Sequence, residues 1–238
     1  MSKSQMRMDD GLLNLPAGDA LLCVTGRRMV QQGLVQATAG NISILDPKTQ
    51  QVWVSGSGYN LAELSGETVC RLSLNGKRLD AEVGRPSSEW PIHQAIYQQN
   101  LRVGAVIHSH PVYATACAIA HQPLDIPYVA EAMVLLGPVP VLPYCPPGSE
   151  ELAQQIAQAM MQYRAVMLAN HGVIVVGHDM RDAYYRLELL EATARMVMIA
   201  GERAKPLPKK HVEDIWVKYH DGSPWHDHAQ TVFLGMAK

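Results

Sequence analysis

The stretch Gly104-Ala-Val-Ile-His-Ser-His110 is a short apolar run that ends in two histidines. An apolar run of this length predicts a buried strand, because both faces of the segment avoid water. Side-chain direction alternates along a strand, so His108 and His110 project from the same side. Two imidazoles on one side are able to bind the same ion, and the stretch therefore predicts a metal site at one end of a sheet.

A second apolar region carries another histidine in a comparable place. Asn170-His-Gly172 lies between the predicted strands Ala165–Ala169 and Val173–Val176, so His171 is also expected at a sheet end. Three histidines leave a coordination position open for water or substrate, as catalytic divalent sites do. Three imidazoles favour Zn²⁺, with Mn²⁺, Co²⁺ or Fe²⁺ as alternatives, over the oxygen-preferring Mg²⁺ and Ca²⁺.

The rest of the chain mixes predicted helices and strands. Segments Ile42–Leu45 and Gln51–Ser55 form a predicted hairpin. Helical patterns cover Asp19–Gln32, Ser88–Gln99, Ser149–Met161 and Asp179–Gly201. Strands and helices do not alternate regularly, so an α/β fold is expected, with a central antiparallel or mixed sheet that helices cover on both faces. No segment has the composition of a linker, which favours a single domain over residues 1–238, with a core at about 19–201 and a tail over 202–238.

Composition limits the classes of function. The chain carries a formal net charge of −2, so neither a nucleic-acid groove nor a membrane-binding surface is expected. No run has the length of a transmembrane helix, and residues 1–10 lack the apolar segment of a signal peptide. The four cysteines are far apart among apolar neighbours, which predicts buried free thiols: Cys23, Cys70, Cys117 and Cys145. These features predict a soluble cytoplasmic protein.

Two glutamates are candidates for acid–base chemistry beside the metal. On spacing alone, Glu89 is explained as a carboxylate that complements the dipole of a helix start. Glu131 lies in the otherwise apolar stretch Tyr128–Leu136, where a carboxylate must be paired or face a site, and we interpret it as functional. His93, one turn after Glu89 on the same helix face, and His121 are expected to be structural. Five histidines in polar surroundings are expected to be exposed: His178, His211, His220, His226 and His228.

Three turns combine glycine or a helix start with small hydroxyl side chains. They are Thr38–Asn41, Ser55–Gly58 and Ser87-Ser88. Backbone N–H groups, short hydroxyls and a helix N-terminus can bind phosphate without a lysine. Each stretch alone is sufficiently explained as an ordinary turn. Together with a metal site, the three turns indicate a small phosphorylated substrate.

In the order and spacing of its motifs, the chain resembles the class II aldolase family of fuculose-phosphate aldolase and ribulose-phosphate 4-epimerase, which also contains adducin head domains. The resemblance runs from about Asp19 to Gly201. It is carried by Thr38-Ala-Gly-Asn-Ile-Ser43, Ser57-Gly58, Pro86-Ser-Ser-Glu-Trp90, His108-Ser-His110 and Asn170-His-Gly172. It implies a three-layer α/β/α fold with a central, mainly antiparallel sheet, assembled as a cyclic homotetramer with active sites at subunit interfaces.

The resemblance also implies the site residues. Zn²⁺ would be bound by His108, His110 and His171, and Glu89 matches the catalytic acid/base, which can also ligate the metal in the empty site. Phosphate would be held by six residues of the turns: Thr38, Asn41, Ser57, Gly58, Ser87 and Ser88. At the position of Glu131, fuculose-phosphate aldolase has a tyrosine, the epimerase an aspartate and methylthioribulose-phosphate dehydratase a glutamate. The family uses a tail tyrosine from a neighbouring subunit, for which Tyr219 is the candidate.

The expected reaction is cleavage of a pentulose or deoxypentulose 1-phosphate to dihydroxyacetone phosphate and an aldehyde. Glu89 would protonate the enediolate, whose charge a bound metal ion stabilises, and Glu131 or Tyr219 would take the proton of the C4 hydroxyl. Dehydration, 4-epimerisation and decarboxylation of a related sugar phosphate are the alternatives that keep the metal site. The intact histidine set argues against a non-enzymatic, adducin-like module.

Overall fold

Our computed structural model describes residue 15 and residues 17–80, 84–99, 102–219 and 221–236. Its strands are β1 (Asn41–Asp46), β2 (Gln51–Ser55), β3 (Val69–Ser73), β4 (Ala105–Ser109), β5 (Val141–Leu142), β6 (Ala165–Leu168) and β7 (Gly172–Gly177). They form one sheet in the order β3-β2-β1-β4-β7-β6-β5, in which only β5 and β6 pair in parallel.

Helices cover both faces of this sheet. They are α1 (Asp19–Gln31), α2 (Trp90–Gln99), α3 (Val112–Ile119), α4 (Ala130–Leu135), α5 (Glu150–Ala159), α6 (Met180–Ala200), α7 (Lys209–Tyr219) and α8 (Pro224–Met236). Alternate residues of β7 belong to different cores: Val175 packs with α1, α3 and α6, whereas Val176 packs with α2 and α5. This alternation follows from the two faces of a strand. It confirms the expected three-layer α/β/α fold with a mainly antiparallel sheet.

Local sequence signals account for the starts of two helices, α5 and α6. The side chain of Ser149 caps α5 by accepting from the N–H of Leu152, and Asp179 caps α6 in the same way. Four elements were not predicted from the sequence: strand β3, the short helix α4 and the tail helices α7 and α8. The cysteines are free and buried, as expected.

The polar tail forms two helices, α7 and α8, which bury three of its aromatic residues: Trp216, Trp225 and Phe233. Trp216 and Phe233 pack with Met133 of α4, and the indole N–H of Trp225 donates to the carbonyl of Met160 at 2.9 Å. The expectation that His226 is exposed is wrong, since it is 1% exposed and its ring packs 4.0 Å from that of Trp216. Two further expectations, on residues 1–10 and on His220, lie outside the described residues. Among the described helices, none has the length and apolarity that a bilayer crossing requires.

Candidate functional site

The three predicted histidine ligands meet at one end of the sheet. His108 lies near the end of β4, His110 directly after it, and His171 in the tight turn between β6 and β7. Their ligand nitrogens all lie within 4.8 Å of one another. A Zn–N bond of about 2.1 Å places two ligand atoms at most about 4.2 Å apart, so modest ring rotations bring all three within reach of one ion.

The turn that carries His171 depends on two unusual backbone positions. Asn170 adopts a positive φ of 55°, which asparagine tolerates better than most residues. A Cβ atom added to Gly172 would lie 2.6 Å from the carbonyl oxygen of Ser109 and 2.6 Å from Cδ2 of His110. Only glycine therefore lets the β6–β7 turn approach the end of β4 closely enough to complete the cluster.

The electrostatics of the cluster fit a cation. Burial, followed by the neighbouring histidines, lowers the pKa of both His108 and His110 to about 3, so both rings are neutral at pH 7. Nδ1 of His108 lies 3.0 Å from the carbonyl of Val173, and its Nε2 lies 3.1 Å from Oε2 of Glu89. A neutral ring can donate to only one of these two oxygens. If His108 donates from Nδ1 to Val173, the lone pair of its buried Nε2 faces the carboxylate of Glu89. A divalent cation would stabilise this arrangement, because it attracts both the lone pair and the carboxylate.

Glu89 is the carboxylate of the site. Its backbone N–H donates to the hydroxyl oxygen of Ser87 at 3.2 Å, immediately before α2. Oε2 accepts a hydrogen bond of 2.8 Å from Nδ2 of Asn41, whereas Oε1 is buried, lies 3.7 Å from Nε2 of His171 and has no hydrogen-bond partner among the described residues. The two oxygens are thus distinct, and Oε1 is the one available to a ligand or a proton.

The predicted phosphate-binding turns line a cavity of about 310 Å³ that the metal cluster shares. Backbone hydrogen bonds hold two of the turns together, from Ser57 N to Arg85 O and from Ser87 N to Ser55 O. The cavity brings together all six predicted phosphate residues with Glu89, His110 and His171: Thr38, Asn41, Ser57, Gly58, Ser87 and Ser88. Sequence reasoning missed one further part of the wall, Pro147-Gly148, which carries no motif of its own.

No lysine or arginine lines this cavity within the described part of the chain. The groups that could hold a phosphate are therefore backbone N–H groups, hydroxyls and the N-terminal end of α2.

Glu131 and Tyr219 lie elsewhere in the chain. Both line a separate, largely apolar cavity of about 480 Å³ between α4 and α7, with Val134, Ile215 and Lys218 among its other residues. The functional role of Glu131 stays a prediction: its side chain is exposed on α4 and lines this second cavity. Within one chain, neither residue belongs to the cavity of the histidine cluster.

Comparison with known proteins agrees with this geometry. The family model described as "Class II Aldolase and Adducin N-terminal domain" matches residues 20–198. The 3-oxo-tetronate 4-phosphate decarboxylase of Pectobacterium atrosepticum is 34% identical over 183 residues, which cover 75% of this chain and 82% of that protein. The 5-deoxy-D-ribulose 1-phosphate aldolase of Bacillus thuringiensis serovar kurstaki is 32% identical over 82% of this chain and 91% of that protein.

Similarity extends to three dimensions. A solved structure of L-fuculose 1-phosphate aldolase superposes with a TM-score of 0.76 at 32% identity, covering 83% of this chain and 93% of that chain. The family match spans most of the chain and includes the histidines, Glu89 and the glycine turns. The chain therefore belongs to the class II aldolase and adducin family.

Proposed function

We propose that the protein is a metal-dependent decarboxylase of a four-carbon 3-oxo sugar acid phosphorylated on C4. One observation carries the proposal: among the described residues that line the cavity, Glu89 is the only carboxylate, and its Oε1 has no hydrogen-bond partner. Support comes from the similarity to a decarboxylase named for 3-oxo-tetronate 4-phosphate. The decarboxylase hypothesis therefore takes precedence over the aldolase that was predicted from the sequence.

The chemistry requires one proton donor. Loss of CO₂ from C1 leaves the electron pair of the C1–C2 bond on C2 and the C3 carbonyl oxygen, as an enediolate. A divalent ion at the histidine cluster would supply Lewis-acid stabilisation of that oxygen. Glu89 then gives a proton to C2, which yields dihydroxyacetone phosphate, and Glu89 regains a proton from water. No hydroxyl proton has to be removed at any step.

The turns of the cavity would fix the substrate for this transfer. The phosphate on C4 would lie against the backbone N–H groups and hydroxyls around Thr38, Ser57 and Ser88, beside the start of α2. Because Ser88 directly precedes Glu89, a phosphate bound there would fix the distance of C2 from the carboxylate of Glu89. The bound ion is proposed to be Zn²⁺, with Mn²⁺, Co²⁺ or Fe²⁺ as alternatives.

A second candidate is the retro-aldol cleavage of a ketose 1-phosphate, favoured by the similarity to the 5-deoxy-D-ribulose 1-phosphate aldolase. It forms the same enediolate, but it also needs a base for the C4 hydroxyl proton. Among the described residues of one chain, no second carboxylate and no tyrosine lines the cavity. A neighbouring subunit of a homotetramer would have to supply Glu131 or Tyr219.

The two candidates are separated by a substrate panel and product masses. Protein loaded with Zn²⁺ would be assayed against 3-oxo-tetronate 4-phosphate and against pentulose and deoxypentulose 1-phosphates. The proposal expects the highest kcat/KM for the 3-oxo acid, with CO₂ as the second product. Aldehyde release at a higher kcat/KM would establish the aldolase instead, whereas loss of water or an unchanged mass would indicate dehydration or epimerisation.

A further inference from the structure

We propose that Tyr97, Ser43 and His93 form a buried hydrogen-bond relay that acts through Asn41 to position Glu89 for proton transfer. The inference rests on the proposed function, because it assigns positioning residues to the proton transfer from Glu89. Three buried polar side chains lie near Glu89 but take no part in the proposed decarboxylation. Ser43, His93 and Tyr97 are each at most 1% exposed, and they connect to the carboxylate of Glu89 through the side chain of Asn41.

The relay is built from two simple periodicities. Asn41 and Ser43 lie two residues apart on β1, so their side chains share one face of the strand. Glu89, His93 and Tyr97 follow one another at intervals of four, so they share one side of α2 and the turn before it. The two faces meet, which places the strand pair against the helical series.

The distances form an unbroken chain. Tyr97 Oη lies 2.8 Å from Ser43 Oγ, and Ser43 Oγ lies 2.7 Å from Nδ1 of His93. Nε2 of His93 lies 2.5 Å from Oδ1 of Asn41, whose Nδ2 donates to Oε2 of Glu89 at 2.8 Å. Every link is within hydrogen-bonding distance.

The donors all point towards Glu89. The carboxamide of Asn41 uses its N–H towards Glu89, so its Oδ1 can only accept, and the hydrogen of His93 must lie on Nε2. The buried ring is neutral, hence its Nδ1 accepts from the hydroxyl of Ser43. Because the Ser43 hydroxyl donates its only hydrogen to His93, its oxygen accepts a hydrogen bond from the hydroxyl of Tyr97. Each donor is assigned without leaving an unmatched group.

This order fixes which group faces the carboxylate. If the amide of Asn41 rotated by 180° while His93 kept its hydrogen on Nε2, oxygen would face oxygen at Glu89 and nitrogen would face a donor at His93, and both contacts would become repulsive. The relay therefore keeps an N–H donor on Oε2 and leaves Oε1 turned towards His171. A buried polar group without a hydrogen-bond partner destabilises the fold. Removing any one member of the relay is therefore expected to loosen the others.

The test uses conservative variants at the far end of the relay, which touch neither substrate nor metal. Tyr97→Phe and Ser43→Ala each remove one hydroxyl, and His93→Ala is compared with His93→Gln, which keeps an N–H donor. Tyr184→Phe is the matched control, because Tyr184 is another fully buried tyrosine whose hydroxyl donates, at 2.7 Å, to Glu188 on α6 instead. Each Zn²⁺-loaded protein is assayed for kcat and KM with 3-oxo-tetronate 4-phosphate.

A second readout does not depend on turnover. The carboxyl ¹³C resonance of Glu89 in glutamate-labelled, Zn²⁺-loaded protein is identified by its loss in Glu89→Gln. We expect Tyr97→Phe and Ser43→Ala to lower kcat about 5- to 20-fold with KM within about twofold, and to shift this resonance. His93→Gln should recover most of the larger loss in His93→Ala. Tyr184→Phe should change neither readout.

The outcomes separate the relay from the proposed function. If the parent protein does not decarboxylate the 3-oxo acid, the proposed function fails, and the resonance alone still tests the relay. An unshifted resonance in both Tyr97→Phe and Ser43→Ala, in folded protein, would overturn the relay. So would a loss of kcat no larger than that of Tyr184→Phe.

Discussion

Nδ2 of Asn41 donates to Oε2 of Glu89 at 2.8 Å, across 48 residues of sequence. The contact arises from register, because Asn41 pairs directly with His108 between β1 and β4, and paired residues of antiparallel strands present their side chains on the same face. One strand pair thus places the amide that holds the carboxylate beside the histidine that would hold the metal. The carboxylate is left with one engaged and one available oxygen.

The substitution Glu89→Gln tests the acid directly. Glutamine keeps the size and the contact to Asn41 but cannot carry a transferable proton, so kcat should fall by about 10²- to 10⁴-fold. Bound zinc should stay near one per chain, because three histidines remain. Glu213→Gln, an exposed position on α7, is the control. Retention of activity within about fivefold would exclude Glu89 as the proton donor.

Metal binding should stabilise the fold, because the ion joins β4 to the β6–β7 turn. At a free Zn²⁺ concentration about 100 times Kd, the free energy of unfolding should rise by about 2.7 kcal/mol. The rise is measured as a shift of Tm between chelator-treated and Zn²⁺-loaded protein. His108→Ala should abolish most of the shift, whereas His211→Ala, at an exposed residue, should preserve it. An equal shift in both variants would place the ion elsewhere.

The metal-free protein should lose stability as the pH falls below about 6.5. Burial lowers the pKa of His93 and His108 to about 3, so these rings stay neutral in the folded protein while they bind protons in the unfolded chain. The unfolded state then holds more protons, and the free energy of unfolding should decrease by about 1.4 kcal/mol per pH unit for each ring.

Denaturant unfolding between pH 7 and pH 5 measures this slope. His93→Gln should reduce this slope by up to about 1.4 kcal/mol per pH unit, the contribution of one ring. A slope that is unaffected by His93→Gln would mean that His93 is protonated in the folded state.

The cavity of Glu131 and Tyr219 should matter only in an assembly. If the second candidate, the aldolase, is correct and a neighbouring subunit brings these residues to the histidine cluster, Glu89→Gln and Glu131→Gln should each be inactive towards a ketose 1-phosphate when assayed alone. Mixed and reassembled in equal amounts, they should recover about a quarter of the activity, since a site then combines an intact side from each variant. Tyr219→Phe replaces Glu131→Gln in a parallel mixture. An active Glu131→Gln protein, or a chain that is monomeric by light scattering, would contradict the shared site.

Local patterns were sufficient to predict the histidine cluster. His108 and His110 have the same parity on a strand, and His171 lies in a turn between two apolar runs, so periodicity and turn residues alone place all three at a sheet end. The helix caps Ser149 and Asp179 are likewise local signals. The family motifs added the role of Glu89, which helix-start chemistry alone did not require.

Long-range contacts were not predictable in this way. The relay depends on the register of β1 against β4 and on the packing of α2 against that face, neither of which is encoded within a window of neighbouring residues. The same limit explains the misplacement of His226, which is covered by Trp216 of another helix. The apolar neighbours of Glu131 likewise did not indicate that its side chain is exposed on α4.

Decarboxylation with proton transfer from Glu89 is tested most directly by tracing the carboxyl carbon and the transferred proton in one experiment. The substrate 3-oxo-tetronate 4-phosphate, labelled with ¹³C at C1, is converted in D₂O by Zn²⁺-loaded protein and observed by NMR. Because 3-oxo acids also decarboxylate unaided, the rate is compared with Glu89→Gln and with buffer. Decarboxylation with Glu89 as the proton donor predicts labelled CO₂ and dihydroxyacetone phosphate in equal amounts, with one deuterium on the carbon that lost CO₂, and a rate far above both controls. A rate equal to that of Glu89→Gln, or no labelled CO₂ from a protein that cleaves ketose 1-phosphates, would contradict it.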